Sequence, residues 1–342
     1  MVKIAVVGAG YWGPNLIRNF ANAKDAELSM VCDMDPKPLA WVTENYPQVR
    51  TTTSFQDVLE SADVDAVVLA TPVRTHYALG KQALLRDKHL MVEKPLASTS
   101  QECEELADLA AQRGRVLLVG HTFLYHPSLL KVKELLDGGE LGDLLYLYSQ
   151  RLNLGRVQTD VNAMWSIAPH DISIATFLAG GDPAEVSARG AAYLTPGVQD
   201  VVFMDLTFAN GVMAHIQVSW LDPTKTRKLT VVGSERMLIY DDVAPKDQVT
   251  VYDKGAVPDG LVHADGRTRY TLKNGAAAVV PVSMSEPLAN ECTHFVECIR
   301  DGRTPRTDGR NGLQVVRIME AVQRSLDSNG APVRLQRQTL AA

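Results

Sequence analysis

The stretch Val2-Lys3-Ile4-Ala5-Val6-Val7-Gly8-Ala9-Gly10-Tyr11-Trp12-Gly13-Pro14-Asn15 decides the fold. Its first six residues form an apolar run that reads as a buried parallel strand. The residues after Pro14 have helical spacing, and a proline in the first helical turn costs nothing because its N–H would have no partner there. Strand, glycine turn and helix form the context in which G-x-G-x-x-G binds a dinucleotide. Gly8 permits the tight turn, Gly10 lets the backbone approach a pyrophosphate, and Gly13 lets helix and strand pack closely. Tyr11 and Trp12 lie inside the turn and belong to the same cofactor site. The helix N-terminus offers N–H groups and a partial positive charge to the phosphates.

A second signal stands at the expected distance. The next apolar run, Leu28-Ser29-Met30-Val31-Cys32, ends in Asp33, 20 residues after Gly13. A carboxylate there accepts hydrogen bonds from the adenosine ribose hydroxyls and repels a 2′-phosphate. No arginine follows closely, only Lys37. NAD is therefore expected, with NADP less favoured.

The remaining composition excludes several classes. The chain has 342 residues, enough for two domains with their own cores. A net charge of −6 and the lack of a long basic run argue against a nucleic-acid partner. No apolar stretch approaches 18 residues, so no membrane span is expected, and the sequence opens on a strand rather than a signal peptide. The four cysteines show no C-x-x-C spacing and suit a reducing cytoplasm. Cys292, His294 and Cys298 share a predicted helix, but 292 and 294 face different directions, so no metal is expected.

The first 120 residues alternate strand and helix, which gives a parallel sheet covered on both faces. In it, Ser98 with Gln101 reads as a capping box for a long helix ending near Arg113. The second half differs. Helices are expected over residues 127–136 and 167–178, the second amphipathic and capped by Ser166. Alternating strands follow at 144–152, 184–193, 201–208, 212–220, 226–232 and 237–240. Asn210-Gly211 is a strong hairpin signal. Residues 242–280 read as edge hairpin and loop, and helices return at 286–299 and 312–326. The expected fold class is α/β: an N-terminal Rossmann doubly wound parallel sheet (residues 1–122), then an α+β domain with an open, mostly antiparallel sheet (residues 123–342). A C-terminal helix is allowed to pack back on the first domain. Apolar residues of both parities between Val201 and Tyr240 predict a homo-oligomer, dimer or tetramer, built on open sheet faces.

Carboxyl ends of parallel strands are where an open α/β sheet binds its ligand. Thr71 and Pro72 end one such strand, and Glu93 and Lys94 end the next. His76 is grouped with them, and Gly120-His121 ends the sixth strand in the same way. In the second half His170 stands near a helix N-terminus, which favours the neutral, proton-accepting imidazole. Asp171 follows it. Arg151, Asn153 and Arg156 come just after a strand and are candidate binding residues, with Trp220, Lys225 and Arg227 as weaker ones.

The glycine turn GAGYWG, Asp33, ATPVRTH (70–76), EKPL (93–96), GHTFLYHP (120–127) and APHD (168–171), in this order, resemble the Gfo/Idh/MocA oxidoreductases over nearly the whole chain. The resemblance implies NAD(P), sugar or cyclitol substrates, Lys94 as the lysine beside the reacting hydroxyl with a Lys94–Pro95 bond that is often cis, and His170 as the helix histidine. Many members carry Asp four residues before that histidine, where this chain has Ser166. The GYWGPN turn and residues 151–156 look closest to nucleotide-sugar 3-dehydrogenases such as UDP-N-acetylglucosamine 3-dehydrogenases. The expected activity is NAD-dependent interconversion of a secondary hydroxyl and a ketone on a sugar, with Lys94 and His170 catalytic and His121, Arg151, Asn153, Arg156 and Asp171 on the substrate. A cyclitol dehydrogenase, a glycosidase with tightly held NAD and a non-catalytic NAD sensor are the alternatives.

Overall fold

A computed structural model of the chain describes residues 1–263 and 265–335. The end of the expected second domain, residues 336–342, lies outside the described residues. The chain divides into two compact units, Met1–His126 with Ser285–Arg317, and Pro127–Met284 with the residues from Ile318 on.

The first unit holds strands β1 (Val2–Val7), β2 (Ala26–Cys32), β3 (Arg50–Thr52), β4 (Ala66–Leu69), β5 (His89–Glu93) and β6 (Leu117–Gly120), with helices α1 (Gly13–Asn22), α2 (Pro36–Asn45), α3 (Phe55–Glu60), α4 (His76–Leu85) and α5 (Ser100–Gln112). The strands are parallel in the order β3-β2-β1-β4-β5-β6, the doubly wound Rossmann arrangement. Ile4, Ala5, Val6 and all four residues of β4 are fully buried, which is why these strands read as unbroken apolar runs. Leu16, Ile17 and Phe20 of α1 are also fully buried, each worth about 1.5–3 kcal/mol of transfer free energy.

The cap of α5 corrects the sequence reading. Thr99, not Ser98, is the N-cap, and it forms a reciprocal capping box with Glu102. Both S-x-x-Q and T-x-x-E fit the pattern at this point. The carboxylate of Glu102 is the better acceptor at a helix N-terminus, where the dipole favours negative charge.

The second unit opens with α6 (Pro127–Asp137), β7 (Leu144–Leu154), α7 (Ala163–Ile167) and α8 (Pro169–Ala179). Strands β8 (Pro183–Ala191), β9 (Val201–Phe208), β10 (Met213–Ser219), β11 (Leu221–Gly233), β12 (Met237–Asp241), β13 (Val249–Val262) and β14 (Thr268–Val279) follow. With β15 (Val333–Arg334) they make one nine-stranded sheet, ordered β14-β13-β12-β11-β7-β10-β9-β8-β15. Every pairing is antiparallel except β7 with β10. The Asn210-Gly211 turn joins β9 to β10, with Gly211 at φ +86°.

Three local expectations change here. Asn162, not Ser166, caps the first helix, accepting from Trp165 N at 3.0 Å. Pro169 then starts a separate helix. That helix, α8, is buried nearly all round rather than amphipathic. Residues 242–280 contain a long two-stranded ribbon, in which β13 pairs with β12 only over Val249–Tyr252.

The chain then returns to the first unit. Helix α9 (Pro287–Asp301) packs against α1 and β1, and residues 309–317 of α10 (Gly309–Asp327) belong to this unit as well. Leu288, Cys292, Phe295 and Val296 of α9 join the core under β1.

Two glycines fix the geometry at the sheet's switch point. A Cβ on Gly8 (φ +100°) would lie 2.7 Å from the Ala70 carbonyl oxygen, and one on Gly13 would lie 2.2 Å from the Gly8 carbonyl oxygen. A Cβ on Gly10 meets nothing within 4 Å. Gly13→Ala is therefore expected to cost on the order of 1–3 kcal/mol, seen as a lowered thermal midpoint, whereas Gly10→Ala melts like the wild type and loses only dinucleotide affinity in a binding titration. Equal melting of both variants would contradict this assignment.

Candidate functional site

The glycine turn lies where the strand order reverses, between the carboxyl ends of β1 and β4. Helix α1 has no side-chain cap and no acidic residue in its first turn, so its N-terminus is open to an anion. Asp33 stands just beyond β2. One oxygen accepts from Ala9 N at 2.7 Å and the other from Asp35 N at 2.9 Å. The carboxylate expected to read the ribose is thus fastened to the glycine turn itself. Tyr11 projects into solvent at 89% exposure. Open backbone at Gly10, an uncapped helix end and a carboxylate one strand away fit a dinucleotide.

The turn after β5 is the second part. The Lys94–Pro95 peptide is cis. Trp12 Nε1 donates to Glu93 Oε1 at 2.7 Å, tying the glycine turn to the Glu-Lys-Pro turn. Burial pushes the Glu93 carboxyl up to about 7, against the pull of Lys94 and the Trp12 indole. His76, at the start of α4, is 1% exposed. Its ring nitrogens lie 2.9 Å from Pro95 O and 2.8 Å from Thr71 O. Its side chain therefore serves the crevice by bracing the two strand-end turns, and burial lowers its pKa. Pro72 opens the short turn of 3₁₀-helix after β4.

His121 follows β6 and is buried, with no hydrogen-bond partner for either ring nitrogen. Burial, and then the charge of Lys94, push its pKa down to about 3. It is neutral throughout the working range. Gly120 makes room for its neighbour, since a Cβ there would sit 3.0 Å from Glu93 Oε2.

The second unit places its residues differently from one another. Arg151 on β7 and Asp171 on α8 are both buried and meet at 2.5 Å, Arg151 Nε donating to Asp171 Oδ2. This pair pins the first turn of α8 to β7. His170, the second residue of α8, is half-buried, and Ser173 Oγ donates to its carbonyl at 2.8 Å. Ser166 accepts from Gln158 Nε2 at 2.7 Å. Asn153 is half-buried and Arg156 exposed. Trp220 belongs to the core, donating to Asp200 at 2.6 Å.

Glu291 was not singled out in the sequence. It is fully buried, on the face of α9 that carries Leu288, Cys292 and Phe295. A charged residue on an apolar helical stripe was the available signal. Thr122 Oγ1 donates to its Oε2 at 2.7 Å. Among the described residues no group of three or more His, Cys, Asp and Glu is placed to hold a metal, and no helix is long and apolar enough to cross a membrane.

With this geometry in view, comparison with known proteins is decisive about family. Residues 2–121 match the profile of the Gfo/Idh/MocA oxidoreductase family, NAD-binding Rossmann fold, and residues 129–239 match the Gfo/Idh/MocA C-terminal domain. UDP-N-acetylglucosamine 3-dehydrogenase of Acidithiobacillus ferrooxidans is 25% identical, over 92% of this chain and 94% of its own. Its solved structure superposes with a TM-score of 0.80, at 24% identity, over 95% of this chain and 97% of that one. Inositol 2-dehydrogenase 2 of Saccharopolyspora erythraea is 30% identical over 64% of this chain and 66% of its own. Scyllo-inositol dehydrogenase of Lactobacillus casei, solved with NAD(H) and scyllo-inositol, has a TM-score of 0.80 at 20% identity over 98% of this chain and 99% of that one. Glycine turn, Asp33, Glu-Lys-Pro turn and both domain profiles agree: this chain belongs to the Gfo/Idh/MocA family of oxidoreductases and carries its NAD-binding Rossmann domain.

Proposed function

We propose that the protein is an NAD-dependent dehydrogenase that interconverts a secondary hydroxyl and a ketone on a sugar, with a nucleotide sugar at C3 the first substrate to test. The observation that carries this reading is Lys94. It follows β5 at the carboxyl edge of the sheet, beside a Glu93 carboxyl raised to about 7 and a His121 that is neutral. Its ammonium acts on both neighbours. NAD, when bound, supplies the hydride acceptor. Gly8, Gly10 and Gly13 seat it, and Asp33 reads its ribose.

In this reading Lys94 donates a hydrogen bond to the reacting oxygen and stabilises the charge that develops there. His170 takes the hydroxyl proton as general base. Ser166, where the family resemblance implies Asp, gives the relay a hydroxyl in place of a carboxylate. Arg151 and Asp171 act by holding the helix that carries His170, which leaves Asn153 and Arg156 to contact sugar or phosphate. The inositol dehydrogenases among the relatives favour a cyclitol as the second substrate class. None of the four cysteines is in a disulfide, which suits the reducing cytoplasm.

A homo-oligomer completes the proposal. The outer face of the second sheet stacks Tyr146, Met213 and Thr207, then Tyr148, His215 and Asp205, then Gln150, Gln217 and Phe203 in cross-strand rows. That face is less apolar than the sequence suggested, because its apolar side chains alternate with an Asp205–His215 pair and a Gln150–Gln217 hydrogen bond. Tyr146, Tyr148, Phe203 and Met213 are exposed in the single chain and suited to burial against a second copy.

Three measurements check these assignments. With a panel of nucleotide sugars and cyclitols, wild type is expected to form NADH, seen by absorbance. Lys94→Ala and His170→Ala are expected to lose about 10²–10⁴ in turnover while NAD still binds. Sugar release without NADH would indicate the glycosidase mechanism, and NAD binding without turnover a sensor. Asp33→Asn keeps a hydrogen-bond acceptor for Ala9 and removes the charge, so NADP affinity relative to NAD is expected to rise by roughly tenfold or more. A wild type that already prefers NADP would refute the role given to Asp33. Light scattering is expected to report at least twice the 37.3 kDa chain mass, and a clean monomer at micromolar concentration would sink the oligomer.

A further inference from the structure

Behind the Glu-Lys-Pro turn lies a second carboxyl that the dehydrogenase reading does not use. Glu291, on α9, is 0% exposed and interacts electrostatically with Glu93. Thr122 holds one of its oxygens at 2.7 Å, and the other, Oε1, is buried with no hydrogen-bond partner. Glu93, at the end of β5, is paired with Gly120, two residues before Thr122, and accepts from the Trp12 indole at 2.7 Å. His121 brings two further buried nitrogens without partners and no charge. An ionised carboxylate in this setting would leave one oxygen bare and desolvated, which disfavours the charged form. A carboxylic acid there loses little.

The surrounding charges point the same way. Burial and repulsion from Glu93 both keep the proton on Glu291, against the Thr122 hydroxyl, which favours its anion. Cys292, the next residue on α9, is a buried thiol held in its protonated form first by burial. Tyr125, beyond Thr122, is likewise kept as the neutral phenol. Arg306 lies over the Tyr125 ring, 5.1 Å from its centroid, and Arg18 is engaged by Glu286 at 2.6 Å. Lys94 acts on Glu93.

We propose that Glu291 is a positioning residue of the active site, a carboxylic acid kept neutral so that the Glu93–Glu291 pair never carries more than one negative charge behind Lys94. Two anions there would pull the Lys94 ammonium inward. One anion steadies the turn, through Trp12 and Lys94. The consequence for catalysis rests on the dehydrogenase reading, whereas the protonation state does not.

The test uses the full chain without substrate. Infrared difference spectroscopy of wild type against Glu291→Gln at pH 8 is expected to show a protonated-carboxyl C=O band in wild type that the variant lacks. If the two spectra match in that region, the proposal is overturned. A pH titration of Trp12 fluorescence, defined by its loss in Trp12→Phe, reports Glu93. Its midpoint near 7 is expected to stay in place in Glu291→Gln. A fall of a unit or more would mean that Glu291 had been an anion, and would overturn the proposal. Should the variant not fold, wild type alone decides: the C=O band is expected to persist to pH 9, above the titration of Glu93, and its disappearance there refutes the assignment. In turnover, Glu291→Ala is expected to lower kcat, with Gln restoring most of the loss. Full activity of Glu291→Ala would end the positioning role and leave the dehydrogenase standing. Absence of turnover in wild type would end the dehydrogenase reading and leave the infrared result intact.

Discussion

The structure of the first unit depends on one close approach of backbone to backbone. The Gly13 Cα lies against the Gly8 carbonyl, and the Gly8 Cα against the Ala70 carbonyl, at distances that admit no side chain. Those two contacts seat α1 on the end of β1 and bring β1 beside β4, where the strand order reverses. The reversal opens the crevice, and the short turn aims an uncapped helix end into it. Asp33 then locks the turn from the neighbouring strand through Ala9 N. A single steric requirement thus sets the position of the open helix end and of the turn that Asp33 fastens.

Charge is managed around that crevice by burial. His76 and His121 are kept neutral, and Glu93 is moved into the neutral range, while Lys94 keeps its place among them. Desolvation favours the uncharged form of every group it touches, so an ammonium set among such groups is the dominant local charge. In the second unit the order is reversed. There a buried pair of opposite charges, Arg151 with Asp171, does mechanical work by fixing the helix that carries His170. Removing either partner would strand a buried charge, so the helix start and the strand are coupled.

Much of this was legible in the sequence because local rules and the fold agree. The glycine turn, the apolar strands β1, β4 and β5, Asp33 at the end of β2 and the Asn210-Gly211 hairpin each follow from short-range chemistry. The departures have physical reasons as well. Ser98 and Thr99 both satisfy the capping pattern, and only the better acceptor at Glu102 separates them. Pro169 starts a new helix instead of sitting inside one capped by Ser166. That Arg151 and Asp171 pair with each other is not visible in the sequence, where they are 20 residues apart. Glu291 was hidden for a related reason. Its partner Thr122 lies 169 residues away in the chain, and Glu93 further still. Side-chain environments made by distant segments are invisible to periodicity.

The central claim is that this arrangement moves a hydride from a sugar carbon to NAD. The most direct measurement follows an isotope. Nucleotide sugars and cyclitols carrying deuterium on the carbinol carbons are incubated with the protein and NAD, and the recovered dinucleotide is weighed by mass spectrometry. The account predicts that one substrate transfers a single deuterium to the nicotinamide ring, with a matching ketone formed. A dinucleotide that stays unlabelled across the panel, or a sugar consumed with its deuterium retained, would contradict it.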